Sequence, residues 1–234
     1  MTTPATRANV VALIPAYLEG RHIYEVARRV LAVLDHALVV DDGSKDATVA
    51  EAQRAGAEVV SHTVNQGKGA AIKTGLAALA QRPGLEYVML LDGDGQHLPE
   101  EIPRFLEEAN RSQAALLIGN RMSDVRTMPL VRKLTNRFMS WQISRVVGQD
   151  IPDTQCGYRM VRRDLLEPLS AAASARFDFE TEMLSIASRL GHAIAAVPVS
   201  TVYGDEKSKI RPVRDTVRFY RLLNRLRRSA GAPS

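Results

Sequence analysis

The sequence has one cysteine, Cys156, in 234 residues, which excludes an internal disulfide framework and matches a reducing compartment. Aromatic residues make up only 5%, and no nucleic-acid-binding module is recognisable, so no nucleic-acid partner is expected. No apolar run approaches the roughly 18–20 residues that span a bilayer. Residues 1–9 are polar and lack the apolar stretch of a signal peptide. The expected location is therefore cytoplasmic, with peripheral attachment to a membrane's cytoplasmic face as the route to any lipid. The five histidines show no metal-ligand spacing and are assigned structural or solvent roles. Cys156 is read as a small buried residue rather than a nucleophile.

What is present is ordinary for a soluble chain: 45% hydrophobic and 24% charged residues, enough to bury a substantial core. The net charge of +5 is local. Arg211, Arg214, Arg218, Arg221, Arg225, Arg227 and Arg228 crowd one segment against Asp215 alone. Residues 211–228 predict an amphipathic helix with Val213, Val217, Tyr220 and Leu226 on its apolar side. Such a helix suits an anionic membrane surface.

The first half alternates short β-rich runs (10–14, 37–40, 57–61, 87–91 and 114–118) with helical patterns at 23–34, at 46–55, from about 69 and from 99. This predicts an α/β fold with a mainly parallel sheet and helices on both faces. Ligands of such sheets bind at the carboxyl ends of strands. The second half predicts helices at 130–147 and 179–190, a polar loop between them through Gly157, and a strand at 193–199.

Chemistry-bearing residues fall at the strand ends. Asp92 and Asp94 follow an apolar run one residue apart, with Gly93 between them and Gln96 two positions on. On a strand, alternate side chains share a face, so both carboxylates point the same way from the strand's end. Two hard oxygen anions suit a divalent cation that keeps waters and takes diphosphate oxygens, with Gln96 as a neutral third donor. Tyr17, after Pro15, can pack on a base or ribose. Asp41 and Asp42 can accept from a base, while Ser44 or Asp46 caps the next helix. Gly67-Lys68-Gly69 opens a helix whose N–H groups and Lys68 suit phosphate, although it is not a Walker loop. Arg121 can also reach a phosphate. Asp153, Asp178, Glu180 and Glu182 are candidate carboxylate bases.

In this order, Pro15-Ala16-Tyr17-Leu18-Glu19, Asp41-Asp42-Gly43-Ser44, Gly67-Lys68-Gly69, Asp92-Gly93-Asp94-Gly95-Gln96-His97 and Gly119-Asn120-Arg121 resemble the family 2 glycosyltransferases of the GT-A fold. The stretch Asp153-Thr154-Gln155-Cys156-Gly157-Tyr158-Arg159 and Ser208-Lys209 resemble the branch of dolichol-phosphate mannose synthases and polyprenyl-phosphate sugar transferases. The resemblance implies a GT-A domain over 1–205 and a basic helical appendage over 206–234. Pro15, Tyr17, Glu19, Val40 and Asp42 would surround the nucleotide sugar, together with Lys68, Asp92, Gly93 and Lys209. Asp92, Asp94 and Gln96 would hold Mg²⁺ or Mn²⁺, and Arg121 and Arg132 would meet the acceptor phosphate. Asp94, Arg121 and Asp153 are the candidate catalytic residues.

The activity implied is inverting transfer of a hexose from a nucleotide-diphosphate sugar to a polyprenyl phosphate. The alternatives are transfer to a sugar hydroxyl, or a nucleotide-sugar-binding partner subunit without catalysis. The membrane spans of some relatives are missing, so a membrane-anchoring partner or a homo-oligomer is compatible with the reading. The chain departs from the family pattern at Leu18, where asparagine is usual, at Ala47, where glycine is common, and at Tyr203, where the synthases carry arginine.

Overall fold

The computed structural model describes residues 3–123, 130–174 and 178–200, without the side chains of 130–132. The expected helix at 211–228, Ser208, Lys209, Tyr203 and the Arg132 side chain lie outside the described residues.

β1 (Val10–Ala16) is apolar throughout and fully buried, as a central strand covered on both faces must be. It pairs in parallel with β2 (His36–Asp41) on one side and β4 (Tyr87–Leu90) on the other; β3 (Glu58–Ser61) adds in parallel outside β2. The crossovers are α1 (Ile23–Val33), α2 (Thr48–Arg54) and α3 (Lys68–Ala80). α1 buries Ile23, Val26, Ala27 and Val30 on one stripe. On α3, a Cβ at Gly75 would lie 2.2 Å from Leu13 Cδ1, so glycine there lets the helix settle on β1.

Beyond β4 come α4 (Ile102–Ser112), β5 (Leu116–Asn120), α5 (Leu130–Val147), β6 (Arg159–Arg162), α6 (Leu166–Ser170), α7 (Asp178–Arg189) and β7 (Ile194–Pro198). The sheet order is β3-β2-β1-β4-β6-β5-β7. β7 runs parallel to β5, whereas β6 is antiparallel to both of its neighbours. The mainly parallel α/β sheet agrees with the sequence expectation. β6 and α6 were not anticipated, β5 lies two residues later than expected, and Pro99 opens a short 3-10 turn before α4.

Two features of the topology build the site. Strand order reverses between β1 and β4, which opens a crevice at their carboxyl ends. Because β6 is antiparallel, its first residue, Arg159, pairs with Leu90 and Ile118 at the ends of β4 and β5. The segment leading into β6 is thereby delivered to the same crevice. No helix among the described residues is long and apolar enough to cross a membrane.

Candidate active site

The β1–α1 loop is held by the motif that follows β2. Ser44 Oγ accepts the Leu18 N–H (2.9 Å), Thr48 Oγ1 the Glu19 N–H (2.9 Å) and Asp46 Oδ2 the Gly20 N–H (3.1 Å). Leu18 takes φ of +59°, a left-handed conformation that asparagine tolerates better than leucine. Tyr17 stays 45% exposed at the mouth of the crevice. Pro15 and Val40 pair across β1 and β2 with buried side chains.

The adjacent Asp41 and Asp42 avoid mutual repulsion because each has its own donors. Asp41 accepts the Ser44 N–H at 3.2 and 3.3 Å. Asp42 Oδ1 accepts from His62 Nδ1 (2.8 Å) and the Gln66 N–H (2.9 Å), and Oδ2 from the Gly67 N–H (2.7 Å). Buried Asp42 thus anchors the turn that launches α3. His62 Nε2 pairs with Thr74 Oγ1 (2.9 Å), the structural role expected of it.

β4 stops at Leu90, so Asp92 and Asp94 lie on a turn, and strand alternation does not set their directions. Asp94 Oδ1 accepts the Gln96 N–H (3.0 Å), the local bond that shapes this turn. Lys68 Nζ lies 2.6 Å from Asp92 Oδ1 and 2.7 Å from Glu180 Oε1. Burial works against the Lys68 ammonium, but Asp92 and Glu180 outweigh it and hold its pKa well above the ordinary value. Burial likewise opposes the Asp92 carboxylate, and Lys68 overcomes it, keeping that pKa below the ordinary range. Arg121 acts on Asp92 in the same direction.

Gly157 closes over this cluster. A Cβ there would lie 3.0 Å from Glu180 Oε1, 3.1 Å from Lys68 Nζ and 3.3 Å from Asp92 Oδ2. Its neighbour Tyr158 stacks on His97, with ring centroids 4.8 Å apart and planes 12° from parallel, and donates its hydroxyl to Leu98 O (2.9 Å). His97 Nδ1 accepts the Asp92 N–H (3.2 Å), so this nitrogen carries no proton. Burial lowers the His97 pKa from 6.5, which favours that neutral form. Arg159 is fully buried and donates to Cys156 O (2.8 Å), Thr154 O (3.0 Å) and Glu180 O. It ties the loop before β6 to the start of α7, which carries Glu180. Burial pushes the Cys156 thiol up to about 11, as expected of an inert buried cysteine.

Arg121, past the end of β5, makes a bidentate pair with Asp153: Nε to Oδ2 at 2.7 Å and Nη2 to Oδ1 at 2.9 Å. The Arg121 and Gln155 N–H groups add bonds to the same carboxylate (3.2 and 3.1 Å). Ser140 of α5 accepts the Thr154 N–H (3.0 Å). Glu182 accepts the Ser174 N–H (2.9 Å).

The crevice therefore gathers Tyr17, Lys68, Asp92, Arg121, Asp153 and Glu180 around the ends of β1, β4 and β5. The contributions of Tyr158, Arg159 and Gly157 were not expected; the run from Asp153 to Arg159 was read as a polar loop and as part of the family resemblance, with no role given to these three. Among the described residues no group of three or more His, Cys, Asp or Glu is assembled to hold a metal. Two carboxylates and an amide on one turn instead fit a hard cation that keeps waters and takes the rest of its ligands from a substrate.

Residues 11–169 match the family described as Glycosyl transferase family 2. The chain is 32% identical over 206 residues to an undecaprenyl-phosphate mannosyltransferase of Micrococcus luteus, covering 83% of this chain and 84% of that protein. It is 29% identical over 239 residues to a UDP-N-acetylglucosamine–dolichyl-phosphate N-acetylglucosaminyltransferase of Methanococcus voltae, covering 92% and 94%. Among solved structures, the glucosyl-3-phosphoglycerate synthase of Mycobacterium tuberculosis, in complex with Mn²⁺, uridine diphosphate and phosphoglyceric acid, aligns with a TM-score of 0.70. That alignment has 21% identity and covers 97% of this chain and 80% of the other.

Proposed function

Because this chain belongs to glycosyl transferase family 2, has the GT-A fold and is a glycosyltransferase, we propose that it moves a hexose from a nucleotide-diphosphate sugar to a polyprenyl phosphate. The observation that carries the choice of acceptor is the state of the carboxylates. Asp153, beside Arg121, has both oxygens on its guanidinium, while Glu180 and Glu182 each give one oxygen, to Lys68 and to the Ser174 N–H. A sugar hydroxyl needs a carboxylate placed to take its proton, and the one beside Arg121, Asp153, is committed to that guanidinium. A phosphate monoester, with a second pKa near ~6, arrives already ionised. Two relatives named for undecaprenyl and dolichyl phosphate support the same choice.

In this reading an acceptor phosphate oxygen attacks the anomeric carbon as the bond to the diphosphate breaks. The diphosphate leaves with the bonding electrons, and configuration inverts. Tyr17 packs on the nucleoside, Glu19 and the backbone at Pro15 and Val40 line its site, and Asp42 and Gly93 shape the turns around it. Lys68 stands beside the diphosphate and aligns Asp92. Arg121 receives acceptor phosphate, with Asp153 fixing the guanidinium; Arg132 and Lys209 are assigned to phosphate contacts as well. Asp92, Asp94 and Gln96 would hold Mg²⁺ or Mn²⁺, which when bound supplies charge neutralisation to the departing diphosphate. The catalytic unit is placed at 1–205 and the basic appendage at 206–234.

A donor screen of UDP- and GDP-linked hexoses tests the reading, using purified full chain, Mn²⁺ or Mg²⁺ and a short-chain polyprenyl phosphate. The expected result is a sugar–lipid product that disappears with chelator. Binding of donor without transfer to any acceptor would instead indicate a non-catalytic subunit.

A further inference from the structure

Lys68 opens α3 and Glu180 lies in the first turn of α7, so the two residues come from opposite halves of the chain. The ammonium is shared: Nζ stands 2.6 Å from Asp92 Oδ1 and 2.7 Å from Glu180 Oε1. The two carboxylates differ in what else they can do. Asp92 shares its turn with Asp94 and Gln96, the donor set that suits a divalent cation. Glu180 stands outside that turn, and its backbone is fixed, because buried Arg159 donates to the Glu180 carbonyl as well as to Thr154 O and Cys156 O. Gly157 bounds the cluster on one side. A Cβ there would lie 3.0 Å from Glu180 Oε1 and 3.1 Å from Lys68 Nζ, which bars the ammonium from leaving in that direction.

We propose that Glu180 is a positioning residue for the metal site: it gives the Lys68 ammonium a second carboxylate, so that Asp92 can exchange Lys68 for a divalent cation. Ammonium and metal compete for the same Asp92 oxygen, and a metal bound there repels an ammonium at contact distance. With Glu180 in place the exchange leaves no charge unpaired: Asp92 gains the metal and Lys68 keeps Glu180. Without Glu180, Lys68 depends on Asp92 and holds it against the metal. The proposal rests on the reading of Asp92, Asp94 and Gln96 as a metal site, and its test reads metal affinity rather than sugar transfer.

Mn²⁺ alone is titrated into the purified full chain, and the free ion is measured by electron paramagnetic resonance. A salt concentration of about 0.5 M screens through-space effects and leaves the contact exchange. Lys68→Met removes the competitor and should bind Mn²⁺ about tenfold more tightly than the wild type. Glu180→Gln should bind it about tenfold more weakly. The double variant Lys68→Met with Glu180→Gln should match Lys68→Met, because Glu180 acts only through Lys68. It also buries neither charge of that pair alone, so the comparison with Lys68→Met carries the test even if Glu180→Gln by itself loses its fold by circular dichroism. Weaker Mn²⁺ binding in Lys68→Met would overturn the proposal. So would an equal loss on adding Glu180→Gln in both backgrounds, which would make Glu180 act on the metal directly. Unchanged affinity in every variant, with only thermal midpoints lowered, would reduce the cluster to a structural ion pair and overturn it as well. Chelator-sensitive transfer by the wild type is read separately: its absence, with the Mn²⁺ affinities ordered as expected, counts against the proposed function alone.

Discussion

Asp153 and Leu18 are residues whose roles follow from their geometry. Asp153 has both oxygens on Arg121, so it is a positioning residue in this account. Asp153→Asn should raise the acceptor KM more than it lowers kcat and leave the pH–rate profile unchanged in shape. A general base would lose turnover by orders of magnitude together with one pH limb. Removing the charge of Asp153 also weakens the pairing of a largely buried guanidinium, costing about 3 kcal/mol of stability. Leu18 holds a left-handed conformation while half exposed, so its side chain contributes little burial to offset the strain. Leu18→Asn should raise Tm, corresponding to about 1 kcal/mol, with donor binding retained. Gly157→Ala would crowd the Lys68–Asp92–Glu180 cluster. Its expected effect is a loss of turnover on the order of tenfold to a hundredfold, with the thermal midpoint nearly unchanged.

At the scale of elements, the loop carrying Asp92 and the loop before β6 are locked by the His97–Tyr158 stack. Burial lowers the His97 pKa from 6.5, so the unfolded chain takes up the proton more readily than the folded one. The His97 contribution is therefore complete above about pH 6.5 and is lost as pH falls below it. Denaturant midpoints measured from pH 7 to pH 5 should fall more steeply in the wild type than in His97→Gln. The Lys68–Asp92 pair does not compete in this window. Asp92 lies below its ordinary range and Lys68 above its own, so both stay charged through it.

The same elements show what the sequence could reveal. Strands β1, β2 and β4 were legible because parallel, doubly covered strands are written as apolar runs. β6 begins and ends with arginine, and Arg159 satisfies its buried guanidinium with loop and helix carbonyls, a pattern that hydrophobic periodicity does not register. Asp92 and Asp94 were legible as a pair by composition. Their geometry was not, because the strand ends two residues before Asp92. Lys68 read as a phosphate ligand at a helix start; that it faces two carboxylates depends on contacts 24 and 112 residues away in sequence, visible only once α7 is packed.

For the whole molecule, the reversal of strand order between β1 and β4 explains why residues from separate segments converge on one crevice. The antiparallel β6 explains how the second half of the chain joins them. In the proposed reading, that convergence leaves an acceptor end, built on Arg121 and Asp153 and connected through Ser140 to the outer helix α5, and a donor end at Tyr17 and Asp92. In the proposed function this crevice transfers a sugar to an ionised phosphate without a carboxylate base. That function is tested most directly by incubating the purified full chain with a nucleotide-diphosphate hexose and Mn²⁺, supplying either a short-chain polyprenyl phosphate or the corresponding alcohol, and measuring the sugar–lipid formed. Product is expected from the phosphate and none from the alcohol; transfer to the alcohol at a comparable rate would overturn the base-free mechanism.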